Sequence, residues 1–229
     1  MLLGTALWAL RAATPLRCAT AAASPRAAVL RALATSSTSS VSVLVPIADD
    51  SEEIETACIT DTLVRAGATV TVASVMPYGR LECKMSRGLK VVADCAIDDI
   101  AGRQFDAIAL PGGMPGAEHL RDSATLTKML KAQAASGDKL LAAVCASPAV
   151  VFGTHGLLPS GGAATCYPAP QFKEAVPGWL EAQAVVDGQV VTSMGPGTSL
   201  AFALKLVELL FDRDKAEEIA AQMLTSCAK

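Results

Sequence analysis

Short runs of β-branched and aliphatic residues alternate along this chain with segments of helical periodicity, and that alternation restricts the fold more than any other feature. Val41-Ser-Val-Leu-Val-Pro-Ile47 is a run of the kind buried in parallel sheets. Ser51-Glu52-Glu53-Ile54-Glu55 follows as a helix start, with Ser51 as the expected N-cap and acids in the first turn. Ile54, Cys58, Ile59 and Leu63 keep helical spacing, and Gly67 marks the end. Further strands are expected over residues 69–75, 105–110, 139–145 and 189–193. Helices are expected over 123–135, 198–211 and 214–224, the last capped by Asp214. Strands separated by helices imply a mostly parallel sheet covered on both faces: an α/β protein, a three-layer α/β/α sandwich in one domain.

Residues 1–40 read differently. They hold twelve Ala, ten Ser or Thr and four Arg (Arg11, Arg17, Arg26, Arg31), with no Asp, Glu or Lys. That composition is expected of an organelle transit peptide, mitochondrial in our reading with the plastid as the alternative, cleaved near residues 34–40. A secretory signal would place its charge before the apolar stretch, whereas residues 1–10 are uncharged and Arg11 follows. The folded domain is therefore expected over residues 41–229.

Four of the 19 basic residues lie in the leader, leaving 15 against 22 acids and a body charge near −7. Such a body is a poor candidate for dedicated nucleic-acid binding, which depends on neutralising phosphates. Residues 140–172 carry no Asp, Glu, Lys or Arg, yet Pro148, Gly153, Pro159, Pro168 and Pro170 interrupt them, so no membrane-spanning helix is expected there. A soluble protein without a membrane partner is expected. The seven cysteines (18, 58, 83, 95, 145, 166 and 227) form no C-x-x-C pair, and only two His are present. No metal signature can be assembled, and reduced, partly buried thiols are expected.

In open α/β sheets chemistry gathers at the carboxyl ends of strands, and three ends stand out here. Val144-Cys145-Ala146-Ser147-Pro148 puts a thiol between a strand and a helix, as a nucleophile elbow does. A helix end facing that thiol is expected to lower its pKa. Leu110-Pro111-Gly112-Gly113 offers a turn whose N–H groups can serve an oxyanion. Glu52-Glu53-Ile54-Glu55 supplies helix-capping acids, together with Glu55 on the buried face that Ile59 shares, where a carboxylate needs a partner or a proton. His119 and His155 match no motif and read as solvated loop residues.

These residues together resemble the ThiJ/PfpI superfamily, within its Parkinsonism-associated deglycase (DJ-one) branch and near its bacterial YajL-type relatives. The likeness covers residues 41–224. Its motifs are Glu52-Glu53-Ile54-Glu55-Thr56, Arg65-Ala66-Gly67, Leu110-Pro111-Gly112-Gly113, Ala143-Val144-Cys145-Ala146-Ser147-Pro148 and Gly195-Pro196-Gly197-Thr198-Ser199. The resemblance implies a flavodoxin-like domain related to class I glutamine amidotransferases. It makes Cys145 an oxidation-prone nucleophile and Glu55 the protonated acid bonded to its sulfur. It places Gly112, Gly113 and the Ala146 amide around an anion pocket. It matches Arg87 to an arginine that reaches the site across a homodimer interface, with helix 54–65 as candidate contact. It implies no cofactor.

Departures from the family pattern also carry meaning. Ala146 stands where the proteases and amidases have His, which argues against Cys-His chemistry on amides. Tyr167 occupies the loop position of a His found in the deglycase branch, and Met194 replaces an Arg before Gly-Pro-Gly. A thiolate beside a carboxylic acid suits aldehydes better than amides. The resemblance implies glutathione-independent conversion of methylglyoxal and glyoxal to lactate and glycolate, together with removal of early glyoxal adducts from glycated proteins. The alternative is a non-enzymatic redox sensor and chaperone using the same Cys145.

Overall fold

A computed structural model describes residues 40–227. The leader reading, all but its last residue, lies outside the described residues. The strands are β1 (Ser42–Ile47), β2 (Thr69–Ser74), β3 (Glu82–Lys84), β4 (Lys90–Val92), β5 (Cys95–Ala96), β6 (Ala107–Leu110), β7 (Leu140–Val144), β8 (Ala184–Asp187) and β9 (Val190–Ser193). The helices are α1 (Glu53–Arg65), α2 (Gly116–Asp122), α3 (Ala124–Ser136), α4 (Pro170–Glu174), α5 (Ser199–Leu210) and α6 (Arg213–Gln222). Seven strands form one sheet in the order β5-β2-β1-β6-β7-β9-β8. Every pairing in it is parallel except β8 with β9.

Alternation along the central strands divides the core in two. Val43, Val45, Ile47, Ala107, Ala109, Ala142 and Val144 face α1, α5 and α6, where Ile59, Leu63, Phe202, Val207 and Ile219 complete the cluster. Leu44, Ile108, Leu110, Leu141 and Ala143 face the other way, onto Leu120 of α2, Leu126 and Leu130 of α3, and Phe152. A strand exposes opposite faces with period two, so one run of apolar residues serves both layers. The expected three-layer sandwich is the fold.

Local differences have physical reasons. Glu52, not Ser51, caps α1, its carboxylate accepting from Glu55 N–H at 2.8 Å. Ser51 Oγ instead accepts from Ala48 N–H at 3.0 Å and closes the turn after β1. Asp212 rather than Asp214 caps α6, accepting from Lys215 N–H at 2.7 Å. Gly67 ends α1 as expected: it adopts a φ of 97°, and the N–H groups of Gly67 and Ala68 return to Val64 and Leu63 carbonyls at 3.0 Å. His119 lies on α2, not in a loop. His155 is half-buried, its Nε2 lying 2.9 Å from the Arg121 carbonyl. The antiparallel β3–β4 hairpin and the short β5 carry too few apolar residues to be read from pattern.

Candidate active site

β1, β6 and β7 are neighbours at the centre of the sheet, so the three unusual strand ends meet at one place. β7 stops at Val144 and leaves Cys145 outside the ladder with a φ of 65°. A non-glycine residue in that region is strained and is held only by its surroundings. Here Cys145 N–H donates to the Ser193 carbonyl at 3.0 Å, and the Cys145 carbonyl accepts from Tyr167 N–H at 2.8 Å. Ser147 Oγ donates to the Pro111 carbonyl at 2.6 Å and ties the elbow to the loop after β6. The segment that follows is π-helical, Pro148–Gly153. Single-turn π segments recur at functional sites.

Glu55 lies on the inner face of α1 and is fully buried. Its Oε2 accepts from Gly112 N–H at 2.6 Å, and its Oε1 has no hydrogen-bond partner. The Cys145 thiol is the group that faces this carboxyl. Burial pushes the Glu55 carboxyl up to about 7, against the pull of the Gly112 N–H and the thiol. Burial likewise raises the Cys145 thiol, and negative charge on Glu55 raises it further, while Gly113 and Ala146 N–H groups act in the opposite direction. The expected lowering by a helix end is therefore reversed, because the elbow is buried beside an acid.

Two such groups share their charge. The pair gives up one proton at about 7 and holds its last well above that. N–H groups of Gly113 and Ala146 draw charge toward the sulfur, while the Gly112 N–H and the thiol itself draw it toward the carboxyl. Burial and the neighbouring carboxylate both raise the thiol, so the pair's remaining proton is held between the sulfur and Glu55.

The glycines are dictated by this packing. A Cβ on Gly112 would fall 2.5 Å from Cys145 Cβ and 3.0 Å from Ala146 N. Gly113 has a φ of 92°, and its Cβ would run into the Asp50 carbonyl. Gly112 nevertheless departs from the anion-pocket role, since its N–H is engaged by Glu55. Gly113 and Ala146 do line the cleft above Cys145, which has a volume of about 250 Å³. Arg87 and Tyr167 line it too, along with Glu52, Met114 and Phe172. The Tyr167 ring packs edge-on against Phe172, 6.4 Å between centroids.

Arg87 reaches this cleft within its own chain, unlike the arrival across a dimer interface that the resemblance implies. The reason is Glu53. Its carboxylate accepts from Ser86 Oγ and from Arg87 N–H, both at 2.8 Å, folding the β3–β4 turn over the start of α1. In sequence Glu53 reads as a helix-capping charge, and nothing beside it marks the clamp. Met194 does not line the cleft. A larger cavity, at the other edge of the sheet, is lined by no cysteine among the described residues. The six described cysteines are free, and among the described residues no group of three His, Cys, Asp or Glu is placed to hold a metal. No helix among them is long and apolar enough to cross a membrane.

The sequence pattern of the DJ-1/PfpI family matches residues 41–209. The chain belongs to that family. It is 43% identical over 192 residues to protein DJ-1 homolog B of Arabidopsis thaliana, covering 83% of this chain and 43% of the relative. The chain thus spans less than half the length of the Arabidopsis relative. It is 36% identical over 181 residues to a protein of Caenorhabditis elegans named glutathione-independent glyoxalase DJR-1.2, covering 77% and 91% of the two chains. Among solved structures, oxidized Toxoplasma gondii DJ-1 superposes with a TM-score of 0.77 at 51% identity, over 82% of this chain and all of that one. Drosophila melanogaster DJ-1beta gives 0.75 at 36%, over 82% and 99%.

Proposed function

We propose that this protein is a glutathione-independent glyoxalase that converts methylglyoxal and glyoxal to lactate and glycolate and removes early glyoxal adducts from protein side chains. The observation that carries the reading is the buried Glu55 carboxyl, one oxygen unpartnered, beside the strained Cys145 elbow. The naming of the Caenorhabditis relative as a glyoxalase supports turnover over the sensor reading.

The chemistry follows from two groups. Cys145 sulfur adds to the aldehyde carbon, an S–C bond forms, and the proton shared by Cys145 and Glu55 passes to the carbonyl oxygen to give a hemithioacetal, leaving Glu55 ionised. Gly113 and Ala146 N–H groups lie where the developing oxyanion needs donors. Glu55, now ionised, removes the proton on that carbon and returns it to the adjacent carbonyl carbon, while the hydroxyl proton of the hemithioacetal passes to the oxygen of that adjacent carbon. The product is a thioester of the 2-hydroxy acid. Water cleaves it, releasing the acid and restoring the thiol. The substrate gains one water, and its two carbons exchange oxidation level internally, so no redox partner is consumed. A carboxyl that titrates at about 7 suits both proton steps.

We further propose that two copies of the chain associate through α1 and that residues 1–40 direct the protein to the mitochondrion. The deciding experiment on function is lactate production from methylglyoxal by the purified full chain without glutathione. Turnover is expected in wild type and absent in Cys145→Ser. Selective oxidation of Cys145 with no turnover would return the redox-sensor reading.

A further inference from the structure

At the amino edge of the sheet, before β6 and β7 and opposite the Cys145 end, lies a cavity of about 370 Å³. Small-molecule sites span roughly 300–1,000 Å³. Its floor is apolar, formed by Ile108 and Met129, both buried. Around it stand three cations: Arg103, Lys128 and Lys139. Among the described residues none of the three is paired with a carboxylate. The Arg103 guanidinium is held 4.8 Å above the Phe105 ring, and Lys139 Nζ donates to Gln104 Oε1 at 3.4 Å. Among the described residues the one acid bonded to a lining side chain is Asp98, through Thr125 Oγ1 at 2.5 Å. Three positive groups therefore line the cavity, and among the described residues no Asp or Glu does.

A polar group on the wall adds direction. Gln133 is only 5% exposed. Its Nε2 donates to the carbonyls of Phe105 and Leu140, each at 3.1 Å. Among the described residues the amide oxygen of this lining residue accepts no hydrogen bond, which leaves it as an acceptor for an incoming N–H or O–H. Such an arrangement has an apolar floor, excess positive charge and one oriented acceptor.

We propose that this cavity is a second ligand site, for a small organic anion that combines an apolar body, one carboxylate- or sulfonate-type head and a hydrogen-bond donor. Cations retain charge selectivity at the mouth, while burial of the apolar body supplies affinity.

The probe is 1-anilinonaphthalene-8-sulfonate, which has all three features, followed by fluorescence with the purified full chain. Saturable binding is expected. Lys128→Glu and Arg103→Glu, both at exposed positions, are expected to weaken it at least fivefold with unchanged circular dichroism and unchanged dicarbonyl turnover. N-phenyl-1-naphthylamine, the same body without the sulfonate, is expected to bind at least fivefold more weakly. No saturable binding, or a smaller effect of the charge reversals or of removing the sulfonate, overturns the proposal.

Discussion

Glu55 Oε2 and the Gly112 N–H, 2.6 Å apart, tie the acid on α1 to the loop after β6 and fix the carboxyl against the elbow of β7. With Ser147, which ties the elbow to the same loop, this contact holds the strand ends in one geometry.

Cys145→Ser is expected to abolish dicarbonyl turnover and leave the fold intact, because the swap is nearly isosteric. Thermal unfolding followed by circular dichroism checks the second half. Replacing Cys58, Cys83, Cys95 or Cys227 should leave turnover within about twofold, since none of them lines the cleft.

The acid also makes stability depend on pH. The folded carboxyl titrates at about 7 against an ordinary value of 4.5. Between these pH values the folded state keeps a proton that the unfolded chain has released. Stability is therefore full below pH 4.5, falls as pH rises through 7, and then levels, a loss of about 3 kcal/mol. Glu55→Gln should remove this slope and most turnover together. Urea unfolding at several pH values is the check, and an unchanged slope in the variant would refute the assignment.

Burial beside Glu55 raises the Cys145 thiol, so ultraviolet thiolate absorbance should appear only in alkaline solution in wild type and vanish in Cys145→Ser. Absorbance with a midpoint near 7 would place the pair's single charge on sulfur instead.

Glycine positions should separate by surroundings. Gly113→Ala combines a φ of 92° with a clash on the Asp50 carbonyl, and about 2–4 kcal/mol of destabilisation is expected. Gly137→Ala has a φ of 77° in open space and should cost about 1 kcal/mol. Denaturant midpoints give both values.

Ile54 and Val64 stand 52% and 57% exposed on α1. If α1 is the surface on which two copies meet, Ile54→Glu should convert a dimeric mass to a monomeric one by light scattering at micromolar protein. A fusion of residues 1–40 to a reporter tests the leader in the same direct way, with Arg11, Arg17, Arg26 and Arg31 changed to Glu as the control expected to stay cytosolic.

The core and the meeting of Cys145, Glu55 and the Gly112–Gly113 turn were legible because they rest on periodicity and on abrupt strand ends. Ser51 and Asp214 were less so, since a residue one or two positions away offered the better-placed carboxylate. The β3–β4 hairpin escaped because three-residue strands hold too little pattern. The direction of the Cys145 shift depends on burial beside Glu55, a long-range contact that no local spacing encodes. Arg87 was legible as a motif residue, but its route into the cleft depends on Glu53, a partner 34 residues away.

That clamp makes the first turn of α1 a single mechanical part. Glu52 caps the helix, Glu53 carries the arginine turn, and Glu55 carries the proton. Evolution or design cannot retune the arginine's reach without disturbing the acid, because the two share one backbone turn. Specificity in this scaffold is therefore more freely varied at Phe172 and Met114, which line the same cleft and share no backbone turn with the acid.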